Sequence, residues 1–399
     1  MKIRLNKNKA FAYFIVFVVF FTNITQIPQI VSLGITSIIS MSIWLIALFV
    51  IILQGKLYYK NILCLLIIVV TSFLLFILIN QSITGNEYIH SSILYPFLLS
   101  IFVLFIGLQS SFNINLKHYD YIYYSYILSG VIVSIFVFID IISSGFSWSS
   151  IGYAYTSKNS VSQIILTVFI LLIFVKFPAK KSLSFFRFLL SIFLIVLLCM
   201  LKSRATLIGL ALLLFVFLSN KNIKLSSKFI VSIAIVIGIF VILSNENLHN
   251  IIVDNIFFAN RDSMDLNSLS SGRYDMYKEF PRMFGKNPII GRGSYYIESF
   301  PLSILLQYGI FGSIPIIIFL LLPFFYFIFT KEKKKDYNVI IFFSITICYY
   351  FNGIFEELSP LGPGVKCYFL WLLLGLLIGR KELRKLYVEK KNIRNKFGI

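Results

Sequence analysis

Cationic and carboxylate side chains crowd into one stretch of an otherwise apolar chain, Asp254 to Gly312, which reads DNIFFANRDSMDLNSLSSGRYDMYKEFPRMFGKNPIIGRGSYYIESFPLSILLQYGIFG. Arg261, Arg273, Lys278, Arg282, Lys286 and Arg292 are interleaved there with Asp262, Asp265, Asp275, Glu279 and Glu298. An arginine fork bonds phosphate through two parallel contacts, which a lysine cannot reproduce. A partly desolvated carboxylate beside it gains basicity and can take a proton. The stretch therefore has the parts to hold an anion next to a base.

Two segments carry these parts. In SLSSGRYDMYKEF, Ser270 or Ser271 can cap a helix that has Asp275 in its first turn. Tyr274, Tyr277, Phe280 and Phe284 recur at three- and four-residue steps, which predicts a short interfacial helix with this stripe toward lipid. Pro281 is expected to kink or end it. Arg273, after Gly272, then stands at the helix start, where free backbone N–H groups favour an anion. In NPIIGRGSYYIES, Gly291 and Gly293 flank Arg292 and allow a tight turn that brings backbone and guanidinium close to a ligand. Glu298 follows at the mouth of the next apolar run, placed to accept a proton from a sugar hydroxyl or to pair with Arg292 or Lys286.

Other groups read more plainly. Asp262 and Asp265, spaced as DxxD, suit solvation better than a Mg²⁺ site, so no metal is expected. Glu356 and Glu357, in FNGIFEELSPLGPG, can bind an acceptor sugar or pair with Lys366. His90, His118 and His249 have neither ligand spacing nor triad partners, and the chain has no phosphate loop, GxSxG or HExxH.

The elements that must position these residues follow from composition. Of 399 residues, 58% are hydrophobic and only 13% charged, against about 25% charged in soluble chains. Continuous apolar runs near the ~20 residues that cross a bilayer exclude a soluble domain and a closed barrel, whose strands would alternate. The expected fold class is all-α: a polytopic transmembrane helical bundle of about 12 spans, with one large extracytoplasmic loop containing short interfacial helices. The spans are read at 10–26, 31–53, 61–80, 92–109, 119–142, 160–176, 184–201, 204–219, 228–244, 301–329, 337–355 and 365–379. Residues 1–244 thus hold the first nine spans, 245–300 the loop, 301–379 the last three, and 380–399 a basic cytoplasmic tail attracted to anionic lipid. The N-terminal MKIRLNKNK reads as the flank of an uncleaved first span. Cys64, Cys199, Cys348 and Cys367 read as small buried hydrophobes.

The net charge of +20 needs no nucleic-acid partner, because basic residues gather in cytoplasmic loops. With both termini inside, 26 of the 36 lysines and arginines fall on the cytoplasmic side. The outer ones are Lys158, Lys202, Arg204, the six of the long loop and Lys366, whereas an outer connection such as Gln81 to Ser91 has none. Cations held against the bias need another reason, and an anionic ligand supplies one. Lys278, Lys286 and Lys202 read as solvated or self-paired charges. Arg204, between two apolar spans in LKSRATLIG, is the stronger candidate.

In this order the residues resemble the O-antigen polymerase and O-antigen ligase superfamily. SRAT at Ser203–Thr206 opens a span as that family's SR[AG] element does. SGR at Ser271–Arg273, GRGS at Gly291–Ser294 and ESFPLSILLQYGIFG at Glu298–Gly312 continue its order, and SKNSVSQ at Ser157–Gln163 is similar to its Asn-bearing element. The motifs cover residues 150–330, and hydropathy carries the likeness beyond them. The resemblance implies inverting glycosyl transfer at the outer face of the cytoplasmic (inner) membrane, without metal or cofactor. Donor and acceptor would be undecaprenyl-pyrophosphate-linked oligosaccharides in a membrane-lipid setting, with a chain-length regulator and a flippase as the accompanying proteins. It casts Arg204 and Arg273 as pyrophosphate binders, Glu298 as base, and Arg292, Arg261, Lys158, Asn159, Glu356 and Glu357 as substrate contacts. Ligases of the family carry His-Asn where this chain has Glu298-Ser299, which favours polymerase. Ligase-type transfer of finished glycan and transport of lipid-linked sugar are the alternatives.

Overall fold

The computed structural model describes residues 7–54, 57–85, 87–114, 118–148, 158–178, 181–220, 223–257, 265–270, 272–329, 336–361 and 367–381. Arg261, Asp262, Ser271, Lys366 and the tail beyond residue 381 lie outside them.

Among the described residues, all regular structure is helical. Lipid offers no partner for a backbone amide, so an apolar run satisfies its own N–H and C=O groups by coiling. A helix stands at each expected span: α1 (Lys7–Ile24), α2 (Thr36–Leu53), α3 (Lys60–Thr84), α4 (Leu94–Asn113), α5 (Tyr119–Ser143), α6 (Lys158–Phe174), α7 (Lys181–Leu201), α8 (Arg204–Ser219) and α9 (Leu225–Ser244). After the loop helix α10 (Arg273–Phe284) come α11 (Phe300–Phe329), α12 (Tyr337–Gly353) and α13 (368–381). Six of these, α2, α3, α4, α5, α7 and α11, are long and apolar enough to cross a membrane singly. A bent pair at Val231–Ser244 and Glu246–Ile256 makes a seventh, and α1, α6 and α8 contain shorter apolar helices. The chain is a multi-pass membrane protein.

Burial sorts the helices into centre and periphery. Leu370 to Leu374 of α13, Ile164 to Leu172 of α6 and much of α4 are buried, whereas Phe49, Leu75 and Phe186 of α2, α3 and α7 face outward. In water such a rim would be a liability; in hydrocarbon it is the natural outer surface. Helix α1 packs along α5, α8 against α12, and α6 lies among α5, α7, α8 and α12. Small residues let α4 and α13 touch backbone to backbone. A Cβ on Gly375 would strike the Leu104 carbonyl, one on Gly107 that of Leu372, and one on Gly379 the Ser111 hydroxyl. This is small-residue packing of the kind that joins membrane helices. Gly375→Val is therefore expected to cost ~1–3 kcal/mol or more through overpacking. A lowered midpoint of thermal unfolding in detergent checks it, and an unchanged midpoint would show that the close approach does not matter.

The tenth expected span differs from the sequence reading. It is not one rod but two helices meeting at Gly309, whose backbone (φ 63°, ψ −168°) is outside the helical region. The break exposes backbone groups that membrane depth cannot solvate, and residues 288–293 supply their partners. Ile310 and Phe311 N–H donate to the carbonyls of Pro288 and Ile289 at 2.9 and 3.1 Å, while Arg292 and Gly293 N–H donate to those of Leu306 and Gln307 at 2.9 and 3.0 Å. Gly291 and Gly309 lie back to back, both with positive φ. A Cβ on Gly309 would come within 2.5 Å of the Gly291 nitrogen.

Polar contacts collect at the two ends of the bundle. At one end, Arg380 pairs with Asp336 at 3.0 Å, the Tyr337 hydroxyl donates to Asp120, and the Tyr59 hydroxyl to the Gly379 carbonyl. These belong to segments that the charge bias assigns to the cytoplasm. The segments it assigns outside meet at the other end.

Candidate active site

Helix α10 begins after Gly272, which adopts the left-handed conformation (φ 83°). The N-cap is Gly272 itself rather than a serine, and Ser270, two residues earlier, accepts from the Tyr274 amide at 2.9 Å. Pro281 stays inside the helix, which runs on to Phe284 rather than ending there. The aromatic stripe is also not wholly given to lipid. Tyr277 turns into the protein and donates to the backbone carbonyls of Glu298 and Ile354, each at 3.2 Å. One turn earlier on the same face, Arg273 reaches Glu298, Nη2 to Oε2, at 2.6 Å. The pair is only partly screened, with side chains 19% and 31% exposed. Neither Arg292 nor Lys286 is the partner that the sequence offered. Tyr296 donates to the other carboxylate oxygen at 3.0 Å, and burial together with the Glu298 charge raises its phenol above its ordinary pKa.

Glu357 is the most enclosed carboxylate here, at 7% exposure. Its Oε1 accepts from Ser92 (2.7 Å), Ser303 (3.1 Å) and Gln307 (3.1 Å). Burial pushes its pKa up, the three hydrogen bonds pull it down, and the Glu298 charge adds to the rise. Gln307 also donates to the Tyr295 carbonyl at 2.6 Å and accepts from Ser91. Ser91 in turn accepts from Tyr308 at 2.6 Å. The first half of α11 is thereby tied to the segment before α4 and to the loop after α12.

Glu356 joins the remaining motifs. It accepts from the Asn159 amide at the start of α6, and the Ser203 hydroxyl donates to Asn159 Oδ1 at 3.4 Å. Ser203 also bonds Thr206 at 2.9 Å, fixing the turn from which Arg204 starts α8. Lys158 and Arg204 stand beside Asn159 and Ser203 in sequence, each partly buried. Lys202 donates to the Trp148 carbonyl at 2.7 Å, and burial lowers its pKa, which suits a structural role. Arg292 lies over the Tyr295 ring at 5.5 Å. The backbone of its glycine turn is committed to the α11 break, so what remains for a ligand is the guanidinium.

Asp265 caps the short helix Leu266–Ser270 by accepting from the Asn267 and Ser268 amides at 3.1 and 2.8 Å. Among the described residues no group of three His, Cys, Asp or Glu side chains could hold a metal. Sequence reading missed Ser92, Ser303, Gln307, Tyr277 and Tyr296 as site-building residues. For Gln307 and Ser303 a signal was present, since polar residues four apart in an apolar run need a buried partner.

Residues 189–315 match the family model of the O-antigen ligases. The match supports the resemblance to the O-antigen ligase and polymerase superfamily, and a membrane role in O-antigen-type polysaccharide assembly. It takes in Arg204, Arg273, Arg292 and Glu298, while Asn159, Glu356 and Glu357 of the same cluster lie outside it. A search of curated proteins found no match.

Proposed function

We propose that the chain is a polysaccharide polymerase that joins undecaprenyl-pyrophosphate-linked repeat units at the outer face of the cytoplasmic membrane. The Arg273–Glu298 contact carries this reading. Such a transfer needs an anion-binding guanidinium beside a carboxylate, and here the two lie 2.6 Å apart. The reading takes the full set of twelve helices as spans, with both termini cytoplasmic and the Arg273 end outward.

In the reaction, an acceptor sugar hydroxyl attacks the anomeric carbon of the donor glycan from the face opposite the pyrophosphate. A new C–O bond forms, the C–O bond to phosphate breaks, and the lipid pyrophosphate leaves with the electron pair. Glu298 takes the hydroxyl proton. Arg273 and Arg204 stabilise the charge growing on the pyrophosphate, so the leaving group needs no protonation. Arg292 and Lys158 extend the cationic surface, with Arg261 assigned the same role. Asn159, Glu356 and Glu357 are assigned to the sugars, with Glu357 the most enclosed of the three. The lipid tails hold both substrates in the interface, which raises their effective concentration.

The O-antigen ligase description of the matching domain supports a second reading, transfer of finished glycan to an acceptor. Transport has less support. A transporter's broken helix opens its backbone to a substrate cavity, whereas the break at Gly309 is closed by residues 288–293. Purified full-length protein given lipid-linked repeat units separates the three: a ladder of lipid-linked products means polymerase, intact-chain transfer means ligase, and neither means transport. Arg204→Lys, which keeps the charge and loses the fork, is expected to shorten the ladder to single units at unchanged membrane insertion. A normal ladder from this variant would remove Arg204 from the pyrophosphate site.

A further inference from the structure

In its resting geometry Glu298 is poorly placed to be a base. Its Oε2 is held by Arg273 at 2.6 Å and its Oε1 by the Tyr296 hydroxyl at 3.0 Å, so both oxygens already accept a donor. Arg273 is under-used by comparison. The contact is through Nη2 alone, Nη1 reaches the Ser270 carbonyl only at 3.4 Å, and buried Nε meets no partner among the described residues. A guanidinium has five donors in a fixed fork. One carboxylate oxygen on one nitrogen leaves most of that capacity idle, and a multiply charged anion with several oxygens would use more of it.

We propose that the Arg273–Glu298 contact is an exchange latch, in which an incoming pyrophosphate takes the guanidinium and thereby unmasks Glu298 as the base. The proposal rests on the transfer reading above and adds how the base is controlled. The fixed parts of the site favour it. Tyr277 pins the Glu298 backbone carbonyl to α10, so the carboxylate stays in place when its cation is taken. Tyr296 keeps one oxygen oriented. Once Arg273 turns to another anion, Oε2 of Glu298 loses its donor and is open to the proton of the acceptor hydroxyl. Deprotonation is then tied to the presence of donor, and an empty site has no free base with which to activate water.

The latch makes carboxylate and pyrophosphate competitors for one arginine, and competition is measurable without turnover. Inorganic pyrophosphate is titrated by calorimetry into the full-length wild type, Glu298→Gln, Glu298→Ala and Arg273→Ala, each in detergent and each with its unfolding midpoint measured. Removing the competing carboxylate is expected to tighten binding about tenfold to a hundredfold, the size of one charge-assisted hydrogen bond. Arg273→Ala is expected to lose most of the binding. The alanine variant keeps the test alive should the glutamine variant misfold. If both Glu298 variants bind pyrophosphate no tighter than wild type, or if none of the proteins binds it, the latch is wrong. A wild-type ladder of polymer together with untightened variants sinks the latch alone, whereas a missing ladder sinks the polymerase reading whatever the titration gives.

Discussion

Replacing Arg273 by alanine is expected to lower the rate of glycan transfer by about 10²–10³-fold, the usual effect of deleting one donor aimed at charge that develops in a transition state. The effect is large because Arg273 is the cation bonded directly to the carboxylate assigned as base, while Lys202 is spent on the Trp148 carbonyl. Arg273→Lys should recover only part of the rate, since a lysine restores the charge and not the fork. Folding is expected to survive, because Arg273 starts α10 and is not part of the packed bundle. The measurement is the initial rate of lipid-linked product formation by purified variants, compared with their unfolding midpoints. A Arg273→Ala enzyme within twofold of wild type would leave the guanidinium without a catalytic role.

The second large effect is expected at Gly309. An alanine there must adopt a positive φ and also drive a methyl group into the Ile289–Gly291 backbone. Neither neighbour can step aside, because Ile289 and Gly291 are themselves hydrogen-bonded into the break and its turn. Strain and overpacking together amount to ~2–5 kcal/mol, a large part of the stability of most proteins. Gly85→Ala is the control, with a similar φ of 68° but open space around the new carbon, so that only conformational strain applies. Thermal unfolding in detergent and susceptibility to trypsin read the difference. Equal midpoints for the two variants would mean that the glycine contact is not what holds the break. Transfer should fall with stability, because Gln307 and Ser303, which hold Glu357, sit on the half-helix that the break positions.

How much of this was legible beforehand follows from the range of each interaction. Helix positions were, because each span solves a local problem, satisfying its own backbone in lipid over about twenty residues. The break in α11 was not. GRG and YGIFG each look like a flexible turn and a tolerated glycine, and only their mutual contact across 18 residues shows that they are one joint. The stripe on α10 was read from periodicity, which gives a face but not its direction. Tyr277 was turned inward by carbonyls of Glu298 and Ile354 that lie far from it in sequence.

For the site, residue types announced the chemistry and distance in space chose the partners. Arg204, Arg273 and Glu298 stood out from the chain alone, because cations outside and polar groups at span mouths are costly without a ligand or a partner, whereas Asn159 came only from the family resemblance. Their pairing was undetermined: Glu298 had Arg292 and Lys286 nearby in sequence and took Arg273, 25 residues earlier. Glu356 and Glu357 are adjacent in the chain yet go to different partners, Asn159 on α6 and the Ser92–Ser303–Gln307 group around α4 and α11. Hydropathy and charge, which act through the solvent, fixed the membrane fold and the character of one end of it. Which carboxylate meets which cation depends on contacts a few ångströms long between distant segments, and only the packed helices set those.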